Sequence, residues 1–427
     1  MSPELKPARL PWPVLAYLVA VLLPVRYSIG PLQMTGLRTF LLFAIIPLLV
    51  QLFRQKNHPA RPIDFLLLTF AAWITIALSQ SSPGQAVEAA GSLSLELLGG
   101  YLIARVYIQS QEQFQALIKT LFWAILCILP LAIFEARFGE PLLISLIKAV
   151  PAISSVDIVD IAPRLGLERV QAVFAHPIHF GLFASTLVAL SLFGLPDSSL
   201  AFRILAATAG VISSFLALSS GAFLSIILQL FLIGWALSFG TARRSWMTLA
   251  LICLSAYVLI DIASNRSPIR VFFSYATFSA HNAYWRGIIF EWGMVNVWQN
   301  PVFGLGLKEW VRPAFMHSGS MDNFWLVVAV RYGLPGFALL AAAYLFGMAR
   351  IACAKLPSHL EGYRIGWLIC FTGLTFTLCT VHVWTSVFSF VFFLFGAGFW
   401  MLKDQSEEAQ PETVPRFLPY SRFSELA

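Results

Sequence analysis

The sequence predicts an all-α integral membrane protein of about twelve transmembrane helices. Two features of composition carry that expectation: 58% of the 427 residues are hydrophobic and 11% are charged, against roughly 25% charged in soluble domains. Mean hydropathy is +0.77. A third observation is that apolar segments recur from Pro11 to Met401, which argues for one polytopic domain over 1–402 rather than several soluble cores. The polar, proline-containing tail 403–427 reads as a flexible end.

Taken in order, the apolar segments lie at 12–25, 38–53, 63–79, 92–108, 115–135, 171–194, 203–218, 221–239, 246–262, 323–350, 364–383 and 385–402. Tilted or short spans are tolerated, so each is a candidate helix. Two junctions, Ser219–Ser220–Gly221 and Val383–Trp384, have almost no loop. The N-terminal segment lacks a small-residue cleavage site and leads straight into further spans, so it is expected to be retained.

Lys6 and Arg9, Arg54, Lys56 and Arg61, Arg203, Arg243 and Arg244, Arg350, Lys355 and Arg364, and Lys403 fall on one side of such a bundle. Positive-inside logic makes that side, and both termini, cytoplasmic. Two long loops, about 136–170 and 263–322, then face outward. The net charge of +7 reports on topology before it reports on nucleic acid, which is not an expected partner. Five cysteines show no CxxC pair or Cys/His ligand spacing, so neither a disulfide framework nor a zinc site is indicated, and no Asp-x-Asp site occurs in the outer loops.

Three outward stretches concentrate polar chemistry. The first carries Arg169 just before a span that opens on His176, Pro177 and His179. In the second, Tyr284, Trp285, Ile288, Ile289, Trp292 and Val295 recur at helical spacing, giving an interfacial amphipathic helix with Arg286 on another face. That helix should stop before Pro301, and PVFGLGL then turns on Gly304 and Gly306, without the lysine of a nucleotide loop. The third brings His317, Asp322 and Asn323 to the start of the tenth segment, which Gly333 and Gly336 interrupt. Asp322 reads either as that helix's N-cap or, beside Arg331 and His317, as a carboxylate that takes a proton from a sugar hydroxyl.

Outer-face arginines run against the charge rule, and a guanidinium fork suits phosphate oxygens. Arg169, Arg270, Arg286 and Arg331, with His281 and Asn323 alongside, are the candidate substrate-binding residues. Solvated surface or pairing with lipid phosphate is the plainer alternative for any one of them.

Together these stretches resemble the O-antigen ligase and O-antigen polymerase superfamily of bacterial envelope glycosyltransferases, over roughly Arg169 to Gly336. The resemblance is carried by Arg169 before Phe174 and Pro177, by SSGAFL at Ser219 to Leu224, by Arg286 before Asn300-Pro301-x-x-Gly304-x-Gly306, and by Asp322–Asn323 followed after nine residues by Gly333 and Gly336. Two positions depart from the family: Asp322 stands where it has histidine, and SSGAFL lacks the arginine of its Ser-Arg-Gly-Ala. The first departure favours a polymerase over a ligase.

The resemblance implies a GT-C-like fold with a large, partly helical periplasmic loop between helices nine and ten, in a bacterial inner membrane. It implies a polyprenyl-diphosphate-linked oligosaccharide donor, a glycan acceptor on another lipid-linked repeat unit, and no cofactor. Membrane lipid is a contact throughout, and a chain-length regulator or flippase is a further candidate partner. Arg169 and Arg286 would hold the diphosphate, with Asp322 or His317 activating the acceptor and Pro301, Gly304, Gly306, Gly333 and Gly336 shaping the frame. A ligase-type transferase to lipid or protein is the alternative, then a transporter of polyprenyl-linked sugars. The transporter predicts intramembrane charges, of which Glu96, with Arg105 as its candidate partner on the same helix, is the clearest.

Overall fold

The computed structural model describes residues 9–30, 32–54, 60–151, 153–264, 280–316 and 318–402, with the backbone alone for 280–283. Arg270, His317, the side chain of His281 and the tail 403–427 lie outside the described residues.

In chain order the described elements are α1 (Trp12–Leu22), β1 (Val25–Ile29), β2 (Leu32–Thr35), α2 (Gly36–Arg54), α3 (Pro62–Ser81), α4 (Ala86–Tyr107), α5 (Gln111–Phe138), α6 (Leu142–Lys148), β3 (Ser154–Ser155), α7 (Pro177–Phe193), α8 (Leu200–Leu216), α9 (Ser220–Phe239), α10 (Arg243–Ala263), α11 (Ala280–Gln299), α12 (Phe324–Cys353), α13 (Glu361–Leu378) and α14 (Thr385–Gly396). Each of the twelve apolar segments contains a helix. Among the described residues, eight helical stretches are long and apolar enough to cross a membrane, and α1, α7 and α8 are apolar but shorter. The protein is a mostly helical, multi-pass membrane protein.

A small sheet departs from the all-α expectation. β1 pairs antiparallel with β2, Arg26 opposite Thr35, and with β3, Val25 opposite Ser155. The first apolar segment does not stay helical to residue 25, because Pro24 pushes Leu23 into extended backbone (φ −92°, ψ 104°). Strand pairing then takes up the backbone polar groups that the helix released.

The core is organised on helices that are apolar on every side. In α14, TSVFSFVFFLFG leaves no polar face, and 83% of its membrane-length window is buried. It packs on α4, where a side chain at Gly100 would meet Ser389 Oγ at 2.6 Å. Small residues allow that approach, as is usual where lipid gives helices no hydrophobic reason to associate. α10 is the opposite case, with 6% of its window buried.

Among the described residues, Glu96, Asp64 and Arg105, buried in the bundle, are paired. Arg38 Nε meets Glu96 Oε1 at 2.8 Å, and Arg105 Nε meets Asp64 Oδ1 at 3.6 Å. Asp64 also accepts from the Tyr101 hydroxyl and, at 2.6 Å, from the Arg61 backbone N–H. The expected Glu96–Arg105 partnership is not formed. Nine residues of one helix separate the two by about 13 Å along its axis, so each takes a partner from a neighbouring helix instead.

The candidate functional site is a cation-lined cavity

The segment before α7 is fixed by backbone hydrogen bonds on both sides of Arg169. Glu168 N–H donates to Ala136 O at 2.9 Å and Val170 N–H to Leu216 O at 3.1 Å. Glu135 then accepts from Gln171 N–H and Ala172 N–H at 2.7 and 3.0 Å. Just upstream, Arg164 and Leu167 exchange both backbone hydrogen bonds, at 2.9 and 3.0 Å, around Leu165 and Gly166 with φ of 54° and 75°. Positive φ at both central residues is the geometry of a type I′ hairpin. The hairpin aims Arg164 at the α8–α9 junction, where its Nη1 donates to Leu218 O at 2.9 Å.

Helix α11 supplies Arg286. Its packed face is Ile289, Gly293, Asn296 and Val297, whereas Tyr284 and Val295 of the expected stripe are exposed. Gly293 allows contact with α12, since a Cβ there would lie 2.6 Å from Leu326. Asn296 is fully buried: it donates to Trp292 O and Val311 O at 2.8 Å and accepts from Val311 N–H at 2.9 Å. That clamp fixes the return strand. Trp310 Nε1 donates to Gly319 O at 3.0 Å and Arg312 Nε to Met316 O at 3.2 Å, shaping the loop that ends at Asp322.

The cap of α12 is Asn323, whose side chain accepts from Leu326 N–H at 3.0 Å. Asp322 is therefore released from the capping role open to it in the sequence, and its Oδ1 accepts from Ser320 Oγ at 2.7 Å.

The glycine motifs close on each other. Gly333 breaks α12 at φ 71°, ψ 177°, a conformation in which L side chains are strained. The break strands three carbonyls, and each is satisfied: Val330 O by Leu305 N–H at 2.7 Å, Arg331 O by Gly306 N–H at 3.1 Å, and Tyr332 O by Trp73 Nε1 at 2.8 Å. Leu334 N–H returns a bond to Pro301 O at 2.8 Å. A side chain at Gly304 would meet Arg331 O at 2.5 Å, and one at Gly336 would meet Tyr332 Cβ at 2.8 Å. Pro301, Gly304, Gly306 and Gly333 thus join α11 to α12, whereas Gly336 packs against Tyr332 of its own helix and Trp73 of α3.

These elements converge on a cavity of about 540 Å³ lined by Arg164, Arg169, Arg286, His176 and Asp322, with Ser219, Ser220, Trp285 and Phe315 completing its wall. The charges act on one another. Burial and then Arg164 push the Arg169 guanidinium down to about 10. Burial lowers Arg286 as well, Asp322 opposing and Arg164 adding to the shift. Burial and Arg169 hold the His176 imidazole down to about 4, against Asp322. The imidazole is therefore neutral at pH 7, as it must be for its Nδ1 to accept from Ile178 N–H at 3.1 Å and cap α7. Arg169 keeps a buried Nε with no hydrogen-bond partner. Such a set can take up a multivalent anion without first breaking an ion pair.

Of the residues predicted from sequence, Arg169, Arg286 and Asp322 line this cavity, Asn323 caps the adjacent helix, and Arg331 lines a different cavity. Arg164 and Asn296 were not among the predicted site residues. Among the described residues no group of three His, Cys, Asp or Glu side chains is placed to hold a metal.

Fold and site define a multi-pass helical membrane protein with an anion-receptive cavity at the ends of α7, α9 and α12. No protein-family model matches the chain, and no curated protein does.

Proposed function

We propose that the cavity is the diphosphate site of a membrane glycosyltransferase. In this reading it takes a polyprenyl-diphosphate-linked glycan and transfers it to a sugar hydroxyl of another lipid-linked repeat unit, as a polysaccharide polymerase. The observation that carries the proposal is the convergence of Arg164 and Arg169, from the segment before α7, with Arg286, from α11, on one cavity lined by a single carboxylate, Asp322. The sequence resemblance supports it. Ser220 sits where that family carries a further arginine, and Arg164 is anchored two residues away, on Leu218 O.

In the proposed mechanism the guanidinium groups hold the diphosphate and stabilise the negative charge that grows on it as the anomeric C–O bond breaks. The acceptor hydroxyl forms the new bond from the opposite face and gives its proton to Asp322, with inversion. Ser320, donating to Oδ1, holds the carboxylate in place. The cavity opens on the periplasmic face of a bacterial inner membrane in this reading, with both termini cytoplasmic.

Lipid-linked glycan analysis tests it. Cells carrying Arg286→Ala should retain the protein in the membrane, lose elongation by about 10²- to 10³-fold, and accumulate single lipid-linked repeat units. Unchanged polymer length would refute the proposal. Accumulation of finished polymer would point to a ligase instead.

A further inference from the structure

A second cavity, of about 180 Å³, lies along the first half of α12, which lines it with Phe324, Val327, Val328 and Arg331. Asp322, at the start of that helix, lines the first cavity, and Arg331, at its last turn before the Gly333 break, lines the second. Its walls mix cations and apolar surface. Arg38 is matched by Glu96, but among the described residues no carboxylate lies within ion-pairing distance of Arg331. His382 also lines the cavity, with a buried Nδ1 that has no hydrogen-bond partner. Phe70, Leu93, Leu340 and Phe388 make up much of the remainder. An exposed guanidinium that meets the Tyr332 hydroxyl but no carboxylate among the described residues, and an unfilled imidazole nitrogen over an apolar floor, are complementary to a phosphate-bearing headgroup followed by hydrocarbon.

The two cavities approach each other across a pair of packed rings. His176 lines the first and Trp384 the second, with 6.0 Å between ring centroids. His179, fully buried, packs against the same tryptophan at 4.1 Å. Thr385, next in the chain and also lining the second cavity, is held at φ 50°. That is an outlier for a β-branched residue, and such outliers persist where the surroundings fix them.

We propose that the second cavity binds the phosphate-bearing headgroup of a second anionic amphiphile through Arg331. Resting on the function proposed above, this occupant is the acceptor, a second polyprenyl-diphosphate-linked glycan, held across the His176–Trp384 ring pair from the donor. Bilayer phospholipid shares the chemistry, and the test separates the two.

The full chain is placed in phosphatidylcholine nanodiscs and titrated with undecaprenyl diphosphate, bound equivalents being counted by native mass spectrometry. The wild type should bind two. Arg331→Ala should bind one of them about 10- to 100-fold more weakly and keep the other, while Arg286→Ala does the converse. Ser92→Phe, which fills the second cavity from a wall remote from Arg331 in sequence, should reproduce the Arg331→Ala result, so a local folding fault at Arg331 cannot imitate it. Arg331-dependent loss of the second equivalent to added phosphatidylglycerol would assign the cavity to phospholipid and overturn the acceptor role. Two equivalents that ignore both Arg331→Ala and Ser92→Phe would overturn the proposal itself. If Arg286→Ala leaves both equivalents in place while Arg331→Ala removes one, the reading of the first cavity fails and that of the second stands.

Discussion

The charges buried in the helix bundle and the charges around the first cavity follow opposite rules. In the bundle, Arg38 faces Glu96, and Arg105 faces Asp64 together with the Tyr101 hydroxyl. Around the cavity, Arg164, Arg169 and Arg286 share one carboxylate, and Arg169 retains an unfilled Nε. A charge removed from water needs a partner or a reason. Matched charges tie helices together; unmatched ones, which repel each other, make sense when an anion completes them. The contrast separates matched from unmatched arginines without any appeal to sequence similarity.

The sharpest way to break that contrast is to unmatch a bundle charge. Asp64→Ala removes the carboxylate facing Arg105 in a site where both side chains are 1% exposed. It should cost about 3–5 kcal/mol, read as a large fall in thermal midpoint of the purified protein. A loss below about 1 kcal/mol would show that water reaches the pair.

The complementary change in the cavity should act on activity and not on fold. Arg169→Ala removes a repelling cation, so the thermal midpoint should hold or rise, while transfer falls by about 10²-fold or more. Lower stability with unimpaired transfer would make Arg169 a structural residue and erase the distinction.

Helices and their breaks were legible in the sequence because bilayer length and proline and glycine chemistry are local signals. The stop at Asn300–Pro301 and the break at Gly333 are of this kind. Pairings between helices were not legible. Arg105 looked like the partner of Glu96 because they share a helix, whereas the partner, Arg38, comes from 58 residues away. Arg169 and Arg286 could be picked out by motif, but Arg164 reaches the cavity only because a type I′ hairpin docks on a carbonyl 54 residues later. Asn296 was hidden for a different reason: a buried amide on an amphipathic helix reads as a lapse in the apolar stripe until its clamp on Val311 is seen.

A finer cut falls between neighbours. Asn323→Ala removes the cap of α12 and should cost about 1 kcal/mol, with transfer reduced only as far as the helix frays. Asp322→Asn keeps the volume and removes the carboxylate, so the thermal midpoint should stay within about 0.5 kcal/mol of wild type while transfer falls by about 10²-fold or more. If Asp322→Asn transfers normally, the carboxylate is not the base.

The smallest effect concerns His176, which belongs to the cavity yet does a structural job. Its folded value, about 4, lies below the ordinary 6.5, so between those values the unfolded chain binds more protons than the folded one. Stability should therefore rise with pH across that window, stay level above it, and be lost as pH falls from about 6.5 toward 4, because the proton is taken up on unfolding while the folded ring stays neutral to accept from Ile178 N–H. His176→Asn keeps an acceptor at the cap but does not titrate, so its thermal midpoint should lack this part of the slope. Added diphosphate should flatten the wild-type slope too, since a bound anion offsets the neighbouring Arg169 charge that helps keep the ring neutral. A slope that persists in His176→Asn would assign the proton to another group and leave His176 a cap alone.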